Sequence, residues 1–200
     1  ETVIDNTYQA LMKEDRESAA EIIEKDGEID QVERDIEGIC LKLLLRQQPV
    51  ASDLRRVSSA LKMITDMERI GDQAADIAEI IKTGNLKAPA EALGMGKMAK
   101  ATMKMVRDSI DSFVKDDLDL AKQVIDADDE VDGQFEQIRH MLADGLVNKS
   151  ATQEQVLDLL MIAKYYERIG DHATNIAEWV VYSITGVHKS AELTERKEQE

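Results

Sequence analysis

The chain contains the same unit twice. Glu68-Arg69-Ile70-Gly71-Asp72-Gln73-Ala74-Ala75-Asp76-Ile77-Ala78-Glu79 recurs at a constant offset of 99 residues as Glu167-Arg168-Ile169-Gly170-Asp171-His172-Ala173-Thr174-Asn175-Ile176-Ala177-Glu178. The copies differ only at Gln73/His172, Ala75/Thr174 and Asp76/Asn175. Upstream, Ile22 to Asp30 matches Val124 to Asp132 at an offset of 102, and the three-residue difference is absorbed by the loop ahead of the later segment. A duplicated sequence folds as two like units, so the 200 residues divide into repeats of about 100. With the join at Gly84 to Pro89, the expected domains are 1–86 and 90–187, followed by a polar Lys/Glu-rich tail, 188–200, expected to fray.

Each unit reads as helical. From Leu54 onward, Val57, Leu61, Ile64, Met67, Gly71, Ala74, Ala75 and Ala78 recur at steps of three and four, the spacing of one helix face. No stretch alternates as a strand would, and low proline with abundant Ala, Leu, Met, Ile, Glu and Lys favours helix. Helix stops fall at Gln47-Gln48-Pro49 with Ser52 as the following N-cap, at Gly84-Asn85 with Pro89 beyond, and at Asn148-Lys149-Ser150. Softer punctuation lies at Lys25-Asp26-Gly27 and Asp126 to Asp129. The predicted helical segments are 1–25, 28–46, 52–83, 91–127, 129–146 and 151–186, with a kink at Asp116-Asp117 as a further division of the fourth. Three helices joined by short loops run up, down and up and bury their apolar stripes against one another. The expected fold is all-α, two tandem pseudo-symmetric three-helix bundles. The chain begins without Met and inside a helical pattern, so the first unit's leading helix is expected to be cut short.

Charge excludes further classes. The 25 Lys+Arg against 41 Asp+Glu give a net charge of −16, which removes the counterion-release term that drives general nucleic-acid binding. An acidic surface suits cations or basic protein patches, and it also simply keeps a protein dissolved. A single cysteine, Cys40, forms no internal disulfide and points to an intracellular setting. The start carries no basic and apolar secretion signal. The longest apolar patches, Leu157 to Ala163 and Trp179 to Tyr182, fall short of the roughly 20 residues a membrane span needs.

Part of the acidic excess is ordered. At about 100° per residue, Glu68, Asp72 and Glu79 project within a narrow arc, with Asp76 about 40° to one side. Val57, Leu61, Ile64 and Ala75 border this ladder, whereas Arg69 and Gln73 are expected to face solvent. Glu167, Asp171 and Glu178 repeat it, with Asn175 in place of Asp76. Carboxylates four apart repel by a few tenths of a kcal/mol per pair. Two offsets are open: hard cations held by oxygen ligands, or Arg and Lys from a neighbouring helix, with Gly71 and Gly170 letting helices approach. Asp108 and Asp111 in the second unit are candidate partner ligands on the fourth segment; Glu1, Asp5 and Asn6 are weaker candidates in the first.

Little else carries chemistry. None of His140, His172 or His188 has a Glu three residues before it, which excludes the Glu-x-x-His pattern of di-iron bundles. Gly94-Met95-Gly96-Lys97 lacks the spacing and the Ser/Thr of a phosphate loop. Cys40 lies in an apolar run and reads as core, and His172 reads as a surface histidine. Met95, Met98, Met103 and Met105 read as core or soft contact surface, as do Tyr165, Tyr166, Trp179 and Tyr182 on the last helix.

The duplicated Glu-Arg-Ile-Gly-Asp segments, with Arg46-Gln47-Gln48-Pro49-Val50-Ala51-Ser52-Asp53-Leu54-Arg55 ahead of the first, resemble the PhoU family over essentially the whole chain. The resemblance implies two three-helix bundles in the cytoplasm and no catalytic residues. It implies di- or trivalent metal ions (iron, zinc, manganese or magnesium) at Glu/Asp-x-x-x-Asp motifs, here Glu68 with Asp72, Asp72 with Asp76, and Glu167 with Asp171. Asn175 departs from the acidic pattern of the second site. It further implies a negative regulator of phosphate uptake and phosphate-starvation signalling. Its partners would be a sensor histidine kinase and the ATPase of the phosphate ABC transporter, met peripherally at membrane complexes, with a homodimer expected. Readings from other classes are a metal-dependent helical phosphohydrolase and a purely structural scaffold.

Overall fold

A computed structural model describes residues 2–47, 49–84, 86 and 93–187. Pro89, the helix start expected at 91 and the tail 188–200 lie outside the described residues. Among the described residues every regular element is helical: α1 (Thr2–Lys13), α2 (Arg16–Glu24), α3 (Asp26–Gln47) and α4 (Ser52–Thr83) precede the join. After it come α5 (Met95–Lys115), α6 (Leu118–Val147) and α7 (Gln153–Thr185).

The break at Asp116-Asp117 falls where the expected division of the fourth segment lies, whereas its counterpart in the first repeat was not expected. The chain turns at Glu14-Asp15 and at Asp116-Asp117, positions 102 apart. Glu14 and Asp116 take left-handed backbone, φ 51° and 52°. The amides of Asp15 and Asp117 reach back five residues, to the Ala10 and Ser112 carbonyls, each at 2.9 Å. The Asp15 carboxylate then accepts the Glu17 and Ser18 amides at 3.1 Å, and that of Asp117 accepts Leu120 at 2.9 Å. By contrast, Asp126 to Asp129 stay helical inside α6, so the expected segments 91–127 and 129–146 become α5 and α6. At Lys25 there is only a joint: α2 and α3 follow end to end, and together they are the counterpart of α6. The result is six arms in two three-helix bundles.

Other ends follow the sequence more closely. Thr152 caps α7 through a capping box with Gln155, and Gly186, at φ 78°, closes it. The α4 cap falls on Ala51 instead of Ser52, with no side-chain bond, and the Arg55 amide bonds the Ala51 carbonyl at 3.1 Å.

The third arms form the centre. α4 and α7 make the most extensive helix contact in the molecule, α3 lies on α4, α5 and α6 lie on α7, and α1 bridges α4 and α5. α4 and α7 are antiparallel, since Arg55 at the start of α4 packs on Gly186 past the end of α7, and Asp158 of α7 packs on Gly84. Ala74, Ile77, Tyr166, Ile169, Ala173 and Ile176 are wholly buried. Removing each isoleucine side chain from water contributes roughly 1.5–3 kcal/mol. Because α4 is packed on more than one side, Gln73 is buried instead of solvent-facing. Cys40 is buried as expected, and burial pushes its thiol pKa up. No helix among the described residues is long and apolar enough to cross a membrane.

Candidate metal centre

Glycine sets the distance between the acidic helices. A Cβ at Gly71 would stand 2.9 Å from Ile29 Cδ1 and 3.7 Å from Asp26 Oδ1; at Gly170 it would meet Val131 Cγ1 at 3.4 Å and Asp128 Oδ1 at 3.8 Å. Ile29 and Val131, like Asp26 and Asp128, are partners at the 102-residue offset. The absent side chain therefore lets α3 lie close on α4, and α6 on α7, with an aspartate of each outer helix beside the ladder of the inner one.

Two carboxylate clusters result. In the first repeat, Glu68, Asp72 and Asp76 of α4 are within electrostatic range of Asp26, Asp30 and Glu33 of α3. In the second, Glu167 and Asp171 of α7 meet Asp128 and Asp132 of α6. Burial raises the pKa of Asp26, with the charges of Asp72, Asp30 and Asp76 adding to it. Burial likewise raises Glu68, then the Asp72 charge, opposed by Arg69. Asp76 rises through burial, then Asp72 and Glu79, opposed by a Tyr165 hydrogen bond and Arg168. Asp171 and Asp132 rise through burial and then the Glu167 charge, both opposed by Lys164.

The basic residues at hand are few. Arg69 reaches Asp72 at 3.1 Å and Glu68 at 3.6 Å, and Lys164 pairs with Glu167. Both come from the ladder's own helix, and Arg168 of α7, acting on Asp76 of α4, is the contribution from a neighbouring helix, so such neutralisation is partial.

Asp108 and Asp111 are not brought into the second cluster. Each is paired one turn along α5, Asp108 with Lys104 at 2.5 Å and Asp111 with Lys115 at 2.7 Å. Neither acts on Asp132 or Asp171 among their leading charges. Asp5 and Asn6 lie on α1, and Glu1 is outside the described residues. The ligand-type residues that sequence reasoning missed are those of the second arm: Asp26, Asp30 and Glu33, and Asp128 and Asp132. Their signal was present, since Asp26/Asp128 and Asp30/Asp132 recur within the upstream repeated segment.

The donor set fits a hard cation. It is made of carboxylate oxygens on two facing helices, at a spacing that leaves several of them mutually repelled, which is the chemistry magnesium, manganese, calcium or ferric ions select. Among the described residues no three His, Cys, Asp or Glu groups already enclose a point where an ion could sit. The fit is therefore one of donor type and proximity alone.

The raised pKa values carry a pH dependence with a definite sign. A carboxyl whose folded pKa is raised binds its proton more readily in the folded chain, so its stabilising protonation is complete below the ordinary value and lost as pH rises through the raised one. For Asp26, Asp76, Asp132, Asp171 and Glu68 that window opens at 3.8 to 4.5 and extends upward. Asp15, held low by the Ser18 amide, loses its contribution only below 3.8, outside the window. Melting in chelator is expected to give a higher Tm near pH 5 than at pH 7, and a Tm that rises from pH 5 to pH 7 would contradict the repulsion.

Fold and site together define a class: a duplicated helical-bundle protein with a paired-helix carboxylate cluster in each repeat. Comparison with known proteins gives that class its family. The PhoU domain matches twice, at residues 1–81 and 95–180. A phosphate-specific transport system accessory protein PhoU homolog of Clostridium acetobutylicum is 38% identical over 191 residues, covering 93% of this chain and 86% of its own. A Pseudomonas aeruginosa homolog of the same description is 33% identical over 204 residues, covering 100% and 84%. The crystal structure of PhoU from Pseudomonas aeruginosa superimposes with a TM-score of 0.86 at 33% identity, over 93% of this chain and 90% of that one. The phosphate transport system regulatory protein PhoU from Streptococcus pneumoniae gives 0.85 at 30% identity, over 93% and 88%. The chain belongs to the PhoU family.

Proposed function

We propose that this protein is a cytoplasmic accessory regulator of phosphate transport, acting without catalysis as a metal-binding adaptor. The observation that carries the reading is the pair of carboxylate clusters on a two-repeat body, in a chain matched along its length by proteins described as phosphate-specific transport system accessory proteins. Glu68, Asp72 and Asp76 with Asp26 and Asp30 would hold ions in the first repeat; Glu167 and Asp171 with Asp128 and Asp132 would do so in the second. A bound cation supplies the positive charge that offsets carboxylate repulsion and ties α3 to α4 and α6 to α7.

An adaptor works by binding one state of its partner better than another. The partners proposed are the sensor histidine kinase of phosphate signalling and the ATPase of the phosphate ABC transporter. The protein would favour the inhibited state of the kinase and restrain uptake when phosphate is plentiful. Cations would act by fixing the spacing of the outer helices and so the shape presented to the partner. In pull-downs with each purified partner, with Mn²⁺ and with chelator, metal-dependent capture of at least one is expected. Failure to capture either under any metal or phosphate condition would remove the adaptor role.

A further inference from the structure

One end of the molecule gathers exposed apolar side chains. Leu41 and Leu45 near the end of α3, Val50 ahead of α4 and Leu54 on its first turn are all exposed, Leu45 at 81% and Val50 at 73%. Two more join them from other elements. Arg56 donates to the Phe113 carbonyl at 3.2 Å and pairs with Asp116, which brings the end of α5, with exposed Val114, to the start of α4. Arg55 packs on Gly186, which brings exposed Val187 there as well. Basic residues stand among these apolar ones: in a chain of net charge −16, residues 41–56 hold Lys42, Arg46, Arg55 and Arg56 against a single acid, Asp53. Lys42 and Arg46 are exposed and make no ion pair among the described residues.

The duplication supplies a comparison within the same molecule. The 102-residue offset carries Lys42 and Arg46 onto Asp144 and Asn148, and the 99-residue offset carries Arg55 and Arg56 onto Glu154 and Gln155. The corresponding tip, 143–155, thus holds two acids and one lysine, Lys149. Apolar exposure persists there: Val147, the counterpart of Leu45, is 79% exposed. Charge, not apolar exposure, distinguishes the two tips.

We propose that the end formed by residues 41–56 with Val114 and Val187 docks on an anionic lipid surface, Leu45 and Val50 entering the headgroup layer while Lys42 and Arg46 meet lipid phosphates. Apolar side chains interleaved with unpaired basic ones are the combination that interfacial binding uses. Shape favours lipid over a folded partner. The patch is made of helix ends and a connecting loop, and its most exposed side chains project, so a surface that yields to them needs no matching cavity. A second copy fits less well, although the other tip is acidic. Two projecting ends that meet cover little of the roughly 800 Å² per partner that a stable interface uses. The carboxylate clusters stand back from this end. Glu68 lies 16 residues along α4 from Ser52, and Asp171 lies 15 residues short of Gly186. At 1.5 Å per residue these are about 24 and 22 Å, nearly three times the roughly 8 Å over which physiological salt screens charge.

Co-sedimentation with lipid vesicles, in chelator and with no other protein present, tests this apart from the cation and adaptor readings. Vesicles of phosphatidylcholine mixed with phosphatidylglycerol should bind the chain at low salt and release it at high salt. Vesicles of phosphatidylcholine alone should bind it far more weakly. Each Lys or Arg near an anionic lipid surface adds about fivefold in affinity, so Lys42→Ala/Arg46→Ala is expected to lower binding to the mixed vesicles roughly thirtyfold. Leu45→Ser/Val50→Ser should also weaken it, whereas Val147→Ser/Leu157→Ser at the other tip should leave it unchanged. All six positions are exposed, and far-UV circular dichroism checks that each variant keeps its helices. Absence of binding to the mixed vesicles, or equal losses on altering either tip, overturns the proposal. So does a sedimentation coefficient that falls, without lipid, in the Leu45→Ser/Val50→Ser protein, since that marks this end as a contact between copies.

Discussion

Exchanging Glu68 and Asp72 for alanine is expected to abolish cation binding in the first repeat while the second repeat keeps its share. The double variant removes two ladder residues of the first cluster and leaves Asp26, Asp30, Glu33 and Asp76 spread over two helices. Loss of direct ligands should exceed the roughly 10–100-fold that follows loss of a residue merely orienting one. Equilibrium dialysis with metal analysis checks it, and equal metal content in both proteins would end the cation reading. Stability gives a second, opposite-signed readout. Without metal, the variant should melt no lower than the parent, because burial and like charge hold Glu68 in its less favourable ionised form at neutral pH. With metal in excess the parent should gain more, since a ligand at 100 times its Kd adds about 2.7 kcal/mol. A cluster kept only for packing would give neither the crossing of the two melting curves nor the loss of metal.

Much of this architecture was legible in the sequence, and the misses share one physical origin. The duplication, the helical period and the ladder residues are local patterns, readable within one stretch of chain, and the all-helical fold that the period implies is the one observed. The second partner helix was misassigned because a helix wheel describes one helix at a time. Asp108 and Asp111 looked like inward acids, yet they pair with Lys104 and Lys115 on their own helix. Asp26 and Asp128 become neighbours of the ladders only through the glycine-spaced approach of α3 to α4 and α6 to α7. Gln73 and His172 were misplaced for a related reason: a wheel assumes a solvent side, and the third arm of each repeat is covered by its own bundle on one side and by the other repeat on the next. Of the inner breaks, that at Asp116-Asp117 falls as expected, and those at Glu14-Asp15 and Asp126 to Asp129 were misjudged for a different reason. Aspartate runs signal an N-cap only where the preceding residue leaves helical backbone, as Glu14 and Asp116 do and the Asp126 to Asp129 run does not.

Cutting either of two equivalent isoleucines at the centre should destabilise the whole molecule, not one repeat. Ile77 of α4 and Ile176 of α7 are partners at the 99-residue offset, and neither retains solvent exposure. Removing a buried isoleucine side chain to the β-carbon leaves a cavity and costs about 3 kcal/mol. In a chain of this size that lowers Tm by roughly 6–12 °C. If the repeats were independent bundles, Ile77→Ala would split the melt into an early step for the first repeat and an unshifted step for the second, and Ile176→Ala would do the converse. The extent of the α4–α7 contact argues against that. Unfolding one repeat would strip the other of the helix that its own third arm packs against, and residues of both repeats, Ile77 and Ile176 among them, belong to one continuous core. Both variants are therefore expected to show one transition, displaced by similar amounts, in calorimetry and in far-UV circular dichroism alike. Two resolved transitions in either variant would mean that the seam is an interface between separately stable domains. In that case cations bound in one repeat would have no rigid path by which to influence the other.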